Sequence, residues 1–385
     1  MAEKITSVNY EMLAWARVQS SIPLETVEKK LKNVSMWENG EDYPTYAQLR
    51  TLSDLYRKPL AVFFFPEPPN IKNIPSSFRT LPENASSIIT KEVTKVIDWA
   101  RVMQLNLYEL NDQVNPAEKK ITDISFDISS IGSTAKQLRE VLDAPLSEQK
   151  KIHKLTDAFE YWRECFFNVG IYVFKEAFKD NAVSGFCIYD EEFPVICINN
   201  SLSLSRQIFT LFHEMYHLIH QTGGIDLLDD SIISSQQYDG YEIERQCNKF
   251  AGEFLVPTKD FLTIARRMGR LDDKKIENLA SMYNVSREVI MRKLLDNRMI
   301  TIQQYEEKRE EYNAEYFRLS EASKKKNGGG NYFHTQLAYK GKQYTELAFN
   351  GYYAQKYPVT QLARYMGMKV SSIQAIASQK RWGAV

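Results

Sequence analysis

Two histidines four residues apart, with a glutamate between them, form a short pattern whose spacing predicts a chemistry. His213, Glu214 and His217 lie in the sequence HEMYH. Residues i and i+4 lie one above the other on a helix, so both imidazoles can bind one metal ion. Glu214 lies beside them, where a carboxylate can act as general base toward a water molecule. The chain has only five histidines, and we interpret this pattern as a zinc site rather than as two histidines bonded to solvent or backbone.

A zinc ion that catalyses hydrolysis is typically bound by three protein ligands, so one ligand has to come from elsewhere. His220 follows on the same face, but three ligands along one helix spread over about 10 Å. We therefore interpret His220 as a neighbour of the ligands, or as a cation near the end of the helix. The next predicted helix offers the glutamates Glu242, Glu244 and Glu253. We choose Glu244 as the third ligand and Asn248, one turn later, as a residue that supports the ligands; the alternative is that Glu244 is a solvated surface acid.

Helical patterns dominate the chain and carry both halves of this site. From apolar spacing and capping residues we predict helices over residues 88–113, 153–167, 203–220, 242–255 and 302–319, and two more between 274 and 296. Gly223 and Gly224 are expected to stop the helix that carries the histidines. Residues 225–240 are predicted to form a polar loop.

Three short runs rich in Val, Ile, Tyr and Phe precede the histidine helix. They cover residues 170–174, 183–189 and 194–199, and polar turns separate them. We predict a small antiparallel sheet of three strands, in which the strand at 194–199 is available to pair with an extended peptide. The predicted fold class is α+β, a mainly helical body with one small antiparallel sheet beside the histidine helix and helical units at both ends.

The two motifs together resemble those of the ImmA/IrrE zinc metallopeptidases. Residues 210–220 read TLFHEMYHLIH and residues 244–257 read ERQCNKFAGEFLVP, against the family patterns FTLxHExxHxxxH and ERxANxFAxxLLxP. The resemblance extends over residues 70–300 and implies a zincin-like core. It also implies that His213, His217 and Glu244 bind zinc and that Glu214 is the general base. Cys247 and Gly252 depart from the small alanine-like positions of the pattern, but both are small themselves.

The same resemblance implies an activity. It implies a zinc-dependent endopeptidase with one Zn²⁺ per chain, which cleaves a specific regulatory protein, a repressor or an antitoxin, in the cytoplasm of a bacterium or phage host. The rival hypothesis is a regulator without enzymatic activity that binds DNA or a partner protein and in which zinc is structural. A structural zinc site is closed by four protein ligands, and the sequence offers three good ones, which favours the enzyme.

Residues 1–69 are predicted to form a helical unit of their own. Helices are expected near residues 12–16, 24–31 and 45–55. The unit resembles the repressor-like (XRE-type) helix-turn-helix unit often fused to this peptidase, through NYEMLAWAR at 9–17, PTYAQL at 44–49 and PLAVFFFP at 59–66. Only five residues separate Leu31 from Trp37, too few for a full recognition helix, and eight basic residues stand against nine acidic ones. We therefore expect a docking or regulatory module of that fold, with DNA as the alternative partner.

Residues 324–385, the tail, combine positive charge with aromatic side chains. Ten basic residues stand against Glu346 alone, a net charge of +9, while the whole chain is neutral. Residues 324–331 are predicted to be a linker, which separates the tail from a peptidase domain at 70–323. Helices are expected at 346–355, 359–366 and 371–379, with the appearance of a helix-turn-helix. Nucleic acid is one candidate partner of the tail; alternatively, its aromatic residues form a core and its lysines face water or the acidic body.

The composition fits a cytoplasmic protein of two or three domains. At 385 residues the chain is too long for one ordinary core. The apolar run at residues 60–65 is far shorter than the roughly 20 residues of a membrane-spanning helix, and the N-terminus lacks the pattern of a secretion signal, so no membrane partner is expected. The four cysteines show no CxxC spacing, and we expect reduced, mostly buried thiols: Cys165, Cys187, Cys197 and Cys247.

Overall fold

The structure, a computed structural model, describes residues 4–20, 22–56, 60–64, 90–180, 182–222, 224–227, 241–269, 271–324 and 332–379. Contacts divide the chain into two compact units, residues 1–74 and 75–385. The described residues are mainly helical and contain one small sheet, which confirms the α+β class. The division into three domains stays a prediction, and the proposed loop at 228–240 and linker at 325–331 lie outside the described residues.

The first unit is a small helical body with its own apolar core. Its helices are α1 (Tyr10–Gln19), α2 (Leu24–Glu28), α3 (Val34–Glu38) and α4 (Tyr46–Tyr56), followed by a 3-10 turn at Leu60–Phe64. The sequence pattern missed α3, which has only five residues and follows Asn33 in the left-handed conformation. Arg17 of α1 reaches Glu38 at the end of α3, with 2.8 Å between Nε and Oε1. This ion pair, together with buried Trp37, fixes the short helix against α1.

In the second unit, helices come both before and after the strands of the sheet along the chain. The elements before and within the sheet are α5 (Lys91–Leu110), α6 (Ile131–Val141), α7 (Leu146–Lys151), α8 (Leu155–Asn168), β1 (Tyr172–Glu176), β2 (Val183–Ile188) and β3 (Val195–Asn199). After β3 come α9 (Leu204–Ile219), β4 (Gly224–Leu227), α10 (Tyr241–Leu255), α11 (Thr258–Met268), α12 (Asp273–Tyr283), α13 (Arg287–Asp296) and α14 (Ile302–Lys324). The tail forms α15 (Tyr332–Lys340), α16 (Lys342–Tyr353), α17 (Val359–Met366) and α18 (Val370–Gln379).

The sheet is mixed, and the prediction of three antiparallel strands was wrong on two counts. Its order is β1-β3-β2-β4, with β1 parallel to β3 and the other two pairs antiparallel. The fourth strand occupies the beginning of the region predicted as a polar loop. Apolar periodicity identifies a strand but not its neighbours, because strand order depends on contacts between distant residues.

The strand order also contradicts the proposed peptide-binding edge. Val195–Asn199 (β3) pairs with β1 on one side and with β2 on the other, so its backbone groups are already used inside the sheet. An added peptide strand needs an exposed edge with unpaired N–H and C=O groups. Strand addition at residues 194–199 is therefore excluded.

Helix α9 lies directly on the sheet and begins where the sequence predicts. The Ser203 side chain accepts a hydrogen bond from the backbone N–H of Arg206 and caps the helix. The helix ends at Ile219, and Gln221 takes the left-handed conformation, so the helix stops before the predicted glycines. Gly185 of β2 permits the close approach, because a Cβ there would lie 2.6 Å from the Cγ2 of Thr210 in α9.

The tail packs on the first strand and shares a core with the rest of the second unit. Tyr344, Phe349 and Leu362 of the tail lie in one buried cluster with side chains of α5, β1 and β3. The fully buried guanidinium of Arg163 donates to the carbonyls of Ala338 and Tyr339 at the end of α15, each at 2.9 Å.

Two further features complete this contact. Gly341 follows α15 with φ +83°, and a Cβ on it would lie 2.9 Å from the Arg163 guanidinium carbon. The Tyr344 hydroxyl donates to the carbonyl of Tyr365 at 2.9 Å and accepts from Asn106 of α5 at 3.1 Å. We call Arg163, Tyr344 and Asn106 the tail clasp.

Candidate metal centre

The two histidines and the glutamate between them are completely buried on α9. His213, Glu214 and His217 each have 0% exposure. The helix is buried on several sides because it lies between the sheet and α10, so its apolar residues, including Phe212 and Met215, are buried as well. Polar groups at such positions need partners inside the protein, or a bound ion.

Helix α10 brings Glu244 to both imidazoles. Oε2 of Glu244 lies 3.1 Å from Nε2 of His213, and Oε1 lies 3.4 Å from Nε2 of His217. Glu244 is 4% exposed, so it is not a solvated surface acid in this structure. The structure thus brings together the three residues that the sequence offers as zinc ligands.

The outer nitrogen of each imidazole has a polar neighbour of its own. Nδ1 of His213 lies 3.0 Å from Oδ1 of Asn248, and Nδ1 of His217 lies 3.3 Å from Oγ1 of Thr222. The Thr222 hydroxyl donates to the backbone carbonyl of His217, so its oxygen can accept from Nδ1. With the protons on Nδ1, the lone pairs of both Nε2 atoms point toward Glu244, as in metal-binding histidines. Asn248 therefore lies where the sequence places a supporting residue, and Thr222 was missed because its contact depends on the turn after the helix.

These distances fit a zinc ion. Zinc bonds of about 2.0–2.1 Å in tetrahedral geometry place two ligand atoms about 3.3 Å apart. The separations of 3.1 and 3.4 Å between the carboxylate and the imidazole nitrogens have that size. Within the described residues, Nε2 of His217 is buried and makes no hydrogen bond, although Oε1 of Glu244 lies 3.4 Å away. A metal ion would give this nitrogen a partner.

The charge of Glu244 is favoured by its surroundings. Burial by itself raises the pKa of this carboxyl, but the neighbouring imidazoles of His217 and His213 together hold the pKa well below its ordinary value. A carboxylate that stays ionised while buried is a ready ligand for a divalent cation.

Glu214 faces the sheet side of α9, near the inner strand β3. Both of its carboxyl oxygens are buried. Burial, and then the negative charges of Glu176 and Glu214, raise the pKa of the Cys197 thiol of β3 well above its usual value. Glu214 therefore lies next to the histidine pair in sequence and on the face of the helix that is turned to β3.

The other candidate residues serve local structure. Nδ1 of His220 lies 2.9 Å from the carbonyl of Tyr216, at the end of α9, as a group near the helix C-terminus would. Glu242 is exposed and pairs with Arg245. Glu253 accepts from the Nζ of Lys293 at 2.6 Å and caps the start of α11.

A thiol near the histidines was not expected. His213, His217 and Cys247 each place one potential ligand atom within 4.8 Å of the other two. Cys247 lies three residues after Glu244, so both side chains leave α10 on the side that faces α9. The sequence predicts Cys247 as a reduced, buried thiol in an alanine-like position, and the structure confirms that it is buried and free. The i, i+3 spacing from Glu244 was the signal that could have placed it near the histidines.

Comparison with known proteins bears on this part of the chain. A family model described as the IrrE N-terminal-like domain matches residues 168–295, from the last residue of α8 to α13. The match covers less than half of the chain. Over the matched residues it supports an ImmA/IrrE-type metallopeptidase, and so it points to peptidase activity. No curated protein matches the chain. In the described part of the chain, no helix is both long and apolar enough to cross a membrane.

Proposed function

We propose that the second unit is a zinc-dependent endopeptidase in which His213, His217 and Glu244 hold the metal. The observation that carries the proposal is the carboxylate of Glu244, which lies 3.1 and 3.4 Å from the two Nε2 atoms on the neighbouring helix. Glu244 is 4% exposed and lies between two buried imidazoles. Burying a carboxylate costs free energy unless a partner such as a cation compensates for the lost solvation. The family match over residues 168–295 supports the same activity.

Each residue then has a distinct role in peptide hydrolysis. A bound zinc ion lowers the pKa of water and polarises a carbonyl group. Glu214 takes the proton from the attacking water and transfers it to the departing amine, which a carboxylate beside the ligands can do in both directions. Asn248 and Thr222 keep the imidazoles oriented by accepting from their Nδ1–H groups.

The substrate that we propose is one specific regulatory protein, a repressor or an antitoxin, in the cytoplasm of a bacterium or phage host. The support is the resemblance of both motifs to the ImmA/IrrE metallopeptidases. Among the described strands, β4 pairs only with β2, and it begins five residues after α9 ends. An extended peptide that adds to β4 would therefore lie close in sequence to the histidine helix.

Measurements on two variants test the activity. The purified protein should contain about one zinc ion per chain, and His213→Ala should lose it. Glu214→Gln should retain the zinc and lower the rate of cleavage about 10²–10⁴-fold, because an amide cannot accept the proton. The substrate can be supplied by co-expression with the product of the neighbouring gene. Full zinc content in His213→Ala would contradict the proposed metal site, and unchanged cleavage by Glu214→Gln would contradict the role of Glu214 as the base.

For the tail, we propose that its basic residues face the acidic body of the second unit rather than nucleic acid. Arg364 of α17 pairs with Glu109 of α5, and Lys356 lies 3.8 Å from Asp112. These pairs join basic residues of the tail to acidic residues of the same unit.

Filter binding across a range of salt concentrations compares this proposal with nucleic-acid binding. Removal of residues 324–385 should lower the melting temperature and leave nucleic-acid affinity unchanged. A loss of affinity with a flatter salt dependence would show instead that the tail releases counterions from phosphates. The same filter-binding assay tests DNA as the partner of the first unit. DNA affinity is measured for the full chain with Lys29→Ala and Lys30→Ala, and a lower affinity than that of the native protein would support DNA as the partner.

A further inference from the structure

The thiol nearest to the candidate metal centre is built into it. Cys247 is 0% exposed, and its Sγ lies within 4.8 Å of a ring nitrogen of His213 and of His217. Glu244, Cys247 and Asn248 occupy positions i, i+3 and i+4 of α10. All three therefore lie on the helical face that approaches the histidines. A cysteine in this place differs in chemistry from the alanine of the family pattern, because a thiolate binds zinc strongly.

A second observation in the same place points to a ligand. Nε2 of His217 is buried and, in the described part of the structure, forms no well-directed hydrogen bond. The nearest carboxyl oxygen, Oε1 of Glu244, lies 3.4 Å away, so there is a polar atom in this space that protein groups do not satisfy. The thiol therefore approaches the same two imidazoles that the Glu244 carboxylate contacts, and imidazole and thiolate ligands suit a soft or borderline divalent ion.

We propose that Cys247 is a fourth protein ligand of the metal, beside His213, His217 and Glu244. This proposal rests on the metal site proposed above. On binding, the S–H bond of Cys247 breaks, the proton leaves to solvent and sulfur bonds to the metal. Nitrogen and sulfur ligands of one tetrahedral zinc ion lie about 3.6 Å apart, so the thiol, within 4.8 Å of a ring nitrogen of each histidine, has to move about 1 Å closer to the imidazoles by a side-chain rotation.

A fourth protein ligand changes whether the metal has an open coordination position. Three protein ligands leave an open position, whereas two imidazoles, a carboxylate and a thiolate close the coordination of zinc. The form with sulfur bound would then be a resting state, in which the thiolate occupies the position that a reacting water needs. The thiolate also favours zinc or cobalt over manganese or magnesium, which prefer oxygen ligands.

Cobalt substitution tests the proposal directly. The full-length protein is stripped of metal and loaded with Co²⁺, whose visible d–d bands report tetrahedral binding and whose near-ultraviolet thiolate-to-cobalt band reports a sulfur ligand. The expected result is both bands in the native protein and loss of only the sulfur band in Cys247→Ala. Cys165→Ala is the matched control, because Cys165 is a buried thiol of α8 in the same protein, and it should keep both bands.

The outcomes separate the thiol from the rest of the site. Tetrahedral d–d bands without a sulfur band in the native protein would overturn the ligation by Cys247 and leave the three-ligand site standing. A sulfur band that survives in Cys247→Ala, or that disappears in Cys197→Ala, would also overturn it. Absence of any cobalt or zinc binding would overturn the metal site itself and this proposal with it. Cys247→Ser and a melting curve show that a lost band does not come from unfolding.

The zinc affinity gives a second readout that does not need catalysis. Loss of one ligand should weaken zinc binding of Cys247→Ala by about tenfold or more, since even a residue that only supports a ligand is worth 10–100-fold. Manganese affinity should change less, because sulfur is a poor ligand for it. Equal losses for the two metals would contradict a sulfur–metal bond and indicate a packing effect.

Discussion

Two clusters of buried polar side chains in the second unit differ in how their hydrogen bonds are satisfied. In the tail clasp, Arg163 donates to three backbone carbonyls, those of Val173, Ala338 and Tyr339, and the Tyr344 hydroxyl both donates and accepts. At the metal centre, the carboxylate of Glu244 faces the Nε2 atoms of two buried imidazoles, and the thiol of Cys247 lies within 4.8 Å of a ring nitrogen of each.

The difference separates a structural role from a chemical one. The groups of the clasp satisfy each other within the protein, so nothing further is needed and their role is to hold the tail on β1. At the metal centre, when the imidazole protons are on Nδ1, the Nε2 lone pairs and the carboxylate repel, and a proton or a cation has to lie between them. Burial alone is therefore a poor guide to function, and the balance of donors and acceptors is a better one.

The largest expected effect comes from removing the carboxylate at the metal centre. Glu244→Ala should weaken zinc binding by more than about 100-fold, because a ligand contributes more than the residues that support it. Glu242→Ala is the matched control, since Glu242 is exposed two residues away, and its zinc affinity should not change. Zinc titration against a chelator measures both. Release of the metal by Glu242→Ala instead would mean that the wrong glutamate has been assigned.

The corresponding change in the clasp should affect folding and leave the metal in place. Arg163→Met removes the donor for three buried carbonyls, so we expect the free energy of unfolding to fall by about 3 kcal/mol with unchanged zinc content. Arg292→Met is the control, because its ion pair with Asp296 is exposed and is worth less than about 1 kcal/mol. Chemical denaturation measures both variants. If Arg163→Met also lost zinc, the two clusters would not be separate in function.

A smaller effect is expected from a residue that only orients a ligand. Asn248→Ala removes the acceptor for Nδ1 of His213, so we expect zinc affinity to fall about 10–100-fold. Thr222→Val makes the equivalent change at His217, where the contact is longer, 3.3 Å, and the loss should be smaller. Calorimetric titration with zinc gives both values. Equal affinity in Asn248→Ala and the native protein would show that Asn248 does not orient the imidazole.

The last expected effect concerns pH and a lysine beside the clasp. Burial lowers the pKa of Lys340 to about 8, although Glu176 opposes the shift. Because the folded-state pKa is below the ordinary value of 10.5, the charged lysine destabilises the fold below about pH 8, and this penalty disappears as the pH rises toward 10.5. Lys340→Met should therefore be more stable than the native protein at pH 7, by at most about 3 kcal/mol.

Melting temperatures of both proteins from pH 7 to pH 10 measure the difference. The gap between Lys340→Met and the native protein should narrow as the pH rises. Lys175, whose pKa burial also lowers to about 8, contributes the same trend to both proteins and cancels in the comparison. A constant gap across this range would show that Lys340 does not titrate with a lowered pKa.

The sequence by itself determined the parts of this protein that depend on neighbours along the chain. The i, i+4 spacing of His213 and His217 places both on one side of α9, and Ser203 starts that helix as its capping residue should. The boundary between the helices on either side of Asn284 is also determined locally, because Asn284 takes the left-handed conformation that ends α12. Turns and helical faces depend on a few consecutive residues, and their energetics can be evaluated from spacing alone.

Only the tertiary structure decided what depends on distant segments. The parallel pairing of β1 with β3 excludes the predicted peptide edge, and no periodicity in either strand specifies that pairing. The convergence of Cys247 on the histidines depends on how α10 packs against α9. The clasp joins residues 163 and 339, which are far apart in sequence. Such contacts form only when the whole core packs, because their free energy comes from burying surfaces that no local window of sequence contains.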